Sequence, residues 1–91
     1  MAQRGAHGDE KSLPTTDYFR MVRQRPDRAA IPEEWIRKVM QDPEHEEKQK
    51  DGRFRLWSKI PEAGGKYLRV ILLADGMTVH NFFLDRGFRK K

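Results

Sequence analysis

Residues 65–83, GKYLRVILLADGMTVHNFF, hold two runs of alternating character on either side of Asp75-Gly76. Successive side chains of a strand point to opposite faces, and Asp-Gly between two such runs is a strong hairpin signal. The spacing predicts antiparallel strands with Ala74 opposite Met77 and Ile71 opposite His80. Arg69 and His80 interrupt an otherwise hydrophobic sheet, which makes them the first candidates for a site.

Upstream, residues 52–60, GRFRLWSKI, alternate in the same way. Residues 61–65 suffice to close a longer turn, so Ile60 falls opposite Lys66 and Trp57 opposite Arg69. The register sorts the sheet into two faces. One carries Phe54, Leu56, Leu68, Val70, Leu72, Val79 and Phe83, and is apolar enough to take a helix. The other carries Arg53, Arg55, Trp57, Lys59, Tyr67, Arg69, Ile71, His80, Phe82 and Leu84. On that second face Arg69 and His80 are expected to be diagonal neighbours.

The covering helix is legible in IPEEWIRKVMQDP. Pro32 suits a first helical position, Glu33 and Glu34 favour the positive end of the helix dipole, and Pro43 lies past the stop. Trp35, Ile36, Val39 and Met40 share one face at helical spacing, and a stripe of this kind reads as core. Trp35 and Ile36 are expected against Leu68, Val70 and Phe83. The fold predicted is α+β, an antiparallel sheet of three or four strands packed on one main helix over residues 32–41.

Before the helix, Tyr18, Phe19, Met21 and Val22 fit a short strand or one face of a helix, and Pro26 ends that element at Arg25. Residues 1–16 mix Gly, Ser, Pro and charge without periodicity, which predicts a disordered leader followed by a single domain over residues 17–91. Residues 42–51, DPEHEEKQKD, read as a solvated acidic linker. The chain of 91 residues suits one domain with a small core. No apolar run is long enough to cross a bilayer and the N-terminal residues contain no apolar signal segment, so a soluble cytoplasmic protein without membrane association is expected.

Composition narrows the chemistry. With no cysteine, disulfides, thiolate metal sites and cysteine nucleophiles are excluded together. Of the three histidines, His7 and His45 fall in the leader and the acidic linker, so neither a metal nor another cofactor is expected. No glycine-rich phosphate loop or nucleophile elbow is present. The net charge of +5 and pI near 9.8 suit an anionic partner, since Lys and Arg gain affinity by releasing counterions from phosphate.

The second face therefore reads as a basic and aromatic platform. Arg53, Arg55, Lys59 and Arg86 are candidates to hold RNA phosphate, and Trp57 and Tyr67 to stack bases. Arg69 and His80 are the candidate catalytic pair for RNA cleavage, Arg69 stabilising charge on phosphate and His80 moving a proton. A non-catalytic interaction module is the alternative, with Trp57, Ile71 and Phe82 buried in a homodimer or against a protein partner.

The order of elements, from RPDR through IPEEWIRKVM and DGRFRLW to YLRVILLADGMTVHNFF, resembles that of small uncharacterised bacterial proteins and, in layout, the RelE and BrnT type of toxin. The resemblance spans residues 17–89. It implies a compact antiparallel sheet packed on helices, and a ribonuclease that acts on free or ribosome-bound RNA and is neutralised by an antitoxin protein. The positions it implicates are Arg53, Arg55, Arg69, His80 and Arg86.

Overall fold

The structure, a computed structural model, describes residues 12–89. Three helices come first, α1 (Asp17–Val22), α2 (Pro26–Ala29) and α3 (Glu33–Gln41). Four strands follow, β1 (His45–Lys48), β2 (Phe54–Ile60), β3 (Lys66–Leu72) and β4 (Val79–Leu84). The strands form one antiparallel sheet in chain order. The fold is thus of the α+β class, with four strands rather than three. Among these residues no helix is long and apolar enough to cross a membrane.

Of residues 17–25, which fit either a strand or a helix, Asp17–Val22 are helical, and the N-terminal end is capped. The Phe19 N–H donates to the Thr16 hydroxyl at 3.0 Å, and Asp17 occupies the first turn, where negative charge meets the helix dipole. Arg25 is extended ahead of Pro26, so the chain breaks there and restarts as α2. Pro32 stands one position outside α3 as its N-cap rather than inside it. On α3, Ile36 and Val39 are buried, while Trp35 and Met40 are half-buried at the rim of the core.

The core lies between the helices and the inner face of the sheet. Phe19 and Val22 of α1 join Ile36 and Val39 of α3 against Leu56, Ile60, Leu68, Val70, Leu72, Val79 and Phe82. The predicted β2–β3 register is the observed one, with Trp57 opposite Arg69 and Ile60 opposite Lys66. In the β3–β4 hairpin the predicted register holds only next to the turn, where Leu72 faces Val79. One residue further Ile71 faces Asn81, so His80 is the extra residue of a bulge.

That bulge corrects the predicted faces of β4. Phe82 is buried opposite Val70, whereas Phe83 lies opposite Arg69 on the outer face. Core packing supplies the reason. An unbroken alternation from Val79 would turn Asn81 into the apolar interior, which costs its amide hydrogen bonds. One extra residue buries Phe82 instead and leaves Asn81 outside.

Two further expectations change. The acidic run forms edge strand β1, anchored where the Ser58 hydroxyl donates to the Asp42 carbonyl and accepts the Glu44 N–H. Residues 14–16 of the expected leader lie on the sheet. Val79 donates to the Pro14 carbonyl at 2.9 Å, the Thr16 N–H donates to the Val79 carbonyl at 3.2 Å, and Thr15 bridges Val79 in parallel. The edge of β4 offers backbone groups there, and burial demands that they be satisfied. Residues 1–11 of that leader, His7 among them, lie outside the described residues.

The turn between β1 and β2 depends on Gly52, whose φ is +93° and where an added Cβ would lie 3.3 Å from the Ala74 Cβ. Gly52→Ala should therefore cost about 1–2 kcal/mol, combining backbone strain with a close contact. Thermal melting of the variant should show a loss of several degrees, and an unchanged midpoint would exclude that strain.

Candidate functional site

The outer face of the sheet carries the sequence-predicted residues in rows set by the register. His45, Trp57, Arg69 and Phe83 form one row, and Glu47, Arg55, Ile71 and Asn81 the next, with Arg53 beyond. These rows differ in what covers them.

The row through Trp57 is closed by the chain after β4. Trp57 is only 3% exposed. Phe88 stacks on its indole at 4.7 Å between ring centroids, while His45 and Tyr67 pack on Phe88 at 5.5 and 4.9 Å. Asp85 accepts from Trp57 Nε1 at 3.0 Å and from Arg69 Nε and Nη2 at 3.0 and 2.8 Å. The Arg69 guanidinium lies over both Trp57 and Phe83. Burial alone pushes the Asp85 carboxyl up. The hydrogen bonds from Trp57 and Arg69, with the Arg69 charge, outweigh it and hold the group below the usual carboxylate range.

Trp57 and Tyr67, expected to stack bases, are thus engaged by the protein itself. Arg69, expected on phosphate, is held by Asp85. The dimer expected to bury Trp57, Ile71 and Phe82 loses its basis in the same way, since Trp57 and Phe82 are already buried within one chain. The residues of this cover that the sequence reading missed are Asp85 and Phe88. A local signal existed, because DRGF places a turn between an acid and an aromatic ring directly after the last strand.

Arg69 and His80 are not brought together. Arg69 faces Phe83, and the interval from Phe83 back to His80 is about 10 Å at roughly 3.3 Å per strand residue. The bulge turns His80 toward the edge, where its Nδ1 lies 3.0 Å from the Thr16 hydroxyl and its ring stacks on Tyr18 at 4.8 Å. Burial, and after it the positive charge of Arg53, hold the imidazole below its ordinary value, so the ring is neutral at neutral pH. The same Thr16 hydroxyl accepts the Phe19 N–H, so one side chain ties the imidazole to the start of α1.

The second half of the outer face is open. The side chains of Arg53 and Arg55 are 43% and 37% exposed, beside half-buried Ile71 and Asn81. Their acidic neighbours stand off, Asp51 at 3.8 Å from Arg53 and Glu47 at 3.7 Å from Arg55, too far for hydrogen bonds. Arg28 reaches round from α2 to donate to the Asn81 side chain at 3.1 Å and lies over the Phe83 ring. Lys59 and Arg86 are exposed at the closed end, Lys59 over the Tyr67 ring.

A shallow groove of about 490 Å³ runs along the β1–β2 hairpin, lined by Glu47, Lys48, Gln49, Lys50, Asp51 and Arg55. None of these lining residues is an aromatic or aliphatic side chain of the kind that anchors small molecules. Among the described residues no three His, Asp or Glu side chains are grouped to bind a metal.

These features define a small α+β domain whose sheet is covered by helices on one face and is half closed, half open and cationic on the other. A scan against protein-family models and searches of curated proteins and of solved structures found no match.

Proposed function

We propose that the protein binds RNA without cleaving it, through the open half of the outer face. The observation that carries this reading is the exposure of Arg53 and Arg55 with acidic partners beyond hydrogen-bond range. Phosphate can compete for guanidinium groups held so weakly, because exposed ion pairs contribute little. The net charge of +5 favours the same ligand. RNA is also the ligand that the resemblance to RelE and BrnT toxins implies, while cleavage would require Arg69 and His80 to meet.

Fluorescence anisotropy with a labelled single-stranded RNA at low salt tests it. Arg53→Ala and Arg55→Ala should each weaken binding about 5- to 10-fold and reduce the salt slope by about 0.7, the loss expected for one phosphate contact. Lys38→Ala, on the exposed side of α3, should leave binding unchanged. Wild-type affinity in both arginine variants would remove the open face as the contact. RNA incubated with the protein, with and without ribosomes, should stay intact, and cleavage that His80→Ala abolishes would restore the nuclease reading.

A further inference from the structure

Strand β1 (His45–Lys48) forms an edge of the sheet, and no described segment pairs with its far side. Its register, His45 opposite Trp57 and Glu47 opposite Arg55, alternates bonded and non-bonded pairs. The Gln49 N–H donates to the Arg53 carbonyl, which sets the phase. His45, Glu47 and Gln49 therefore bond to β2, and the N–H and C=O groups of Glu46 and Lys48 point away from the sheet.

From this we infer that β1 is a self-complementary dimer edge, and that a second copy of the chain pairs with it antiparallel about a two-fold axis through Glu47. In that register Glu46 of each copy stands opposite Lys48 of the other. All the outward backbone groups of both residues are bonded, and opposite charges face each other twice across the axis. Among the described residues Glu46 takes part in no ion pair. The one like-charge contact, Glu47 against Glu47, is countered within each copy by Arg55 at 3.7 Å, and His45 Nε2 lies within hydrogen-bond distance of the same carboxylate at 3.2 Å.

Other registers fare worse. A one-residue shift sets outward backbone groups against inward ones. Centring on Glu46 or on Lys48 sets like charges opposite without those counter-charges, and bonds fewer of the strand's outward groups within the strand. Short, charged edges resist indiscriminate pairing. Here the same charges select one partner and one register. The two outer faces would then lie on the same side of a continuous eight-stranded sheet.

Sedimentation velocity over a wide concentration series tests the dimer independently of any RNA binding. A concentration-dependent dimer is expected for the wild type. Glu46→Lys and Lys48→Glu, both at exposed positions, should each weaken it about 10-fold, since either change sets like charges opposite each other twice. The double variant, Glu46→Lys with Lys48→Glu, should recover wild-type dimerisation. Circular dichroism melting confirms that the variants fold. A wild type that stays monomeric throughout, a dimer indifferent to both single changes, or a double variant that fails to recover would each overturn the inference.

Discussion

Val70→Asp should leave the chain unfolded at room temperature. Val70 has no exposed surface and stands between Leu56 and Phe82 at the centre of the inner face. An aspartate there would have to stay ionised in an apolar core or be protonated against its ordinary pKa, and either costs several kcal/mol. The lost valine burial adds roughly 1.5–3 kcal/mol. A domain of this length holds about 5–14 kcal/mol in total, at roughly 0.05–0.15 kcal/mol per residue. Most or all of the stability is therefore consumed. Circular dichroism and urea titration should show no cooperative transition, and a variant that melts like wild type would exclude this core.

Asp85→Ala should be the most damaging change outside the core. The carboxylate is 11% exposed and holds both the 24% exposed Arg69 and the Trp57 indole N–H. Without it, a largely buried guanidinium and an indole donor lose their acceptor, which costs about 2–3 kcal/mol. At about 4–8 °C per kcal/mol for a domain of this size, the melting temperature should fall by roughly 10–20 °C.

The deficit should also depend on pH. Asp85 is held below its ordinary value in the folded protein, so its stabilisation is complete above the unfolded carboxylate pKa of about 4. It is lost as pH falls through the lower folded value. The difference between wild type and Asp85→Ala should accordingly be constant near neutrality and shrink in acid. A difference that stays constant in acid would mean that the ion pair contributes nothing.

Asp85 also shows why the candidate site was only partly legible. Arg53 and Arg55 could be placed on the outer face from alternation alone, because period two is a property of any strand and the turn after Ile60 kept its register. The residues after β4 could not be placed in that way. Phe88 reaches Trp57 and Tyr67 only because the turn at residues 85–88 folds back across the sheet, where the Asp85 carboxylate accepts the Gly87 N–H at 3.1 Å. The platform read as open is half filled by its own chain.

Sequence by itself determined the elements whose cause is local. The stripe of Trp35, Ile36, Val39 and Met40 specified a helix and its buried side, and alternation in residues 54–72 specified two strands and their pairing. Asp75 placed the next turn, its carboxylate accepting from the Met77 and Thr78 amides. Tertiary structure decided what depends on distant groups. The run HEEK has no apolar alternation of its own and is a strand because β2 offers it an unpaired edge. Residues 14–16 are ordered because Val79 offers the same on β4. His80 was set further along β4 from Arg69 because the core had room for Phe82 and no partner for Asn81, a choice made by packing across three elements that no spacing along one strand encodes.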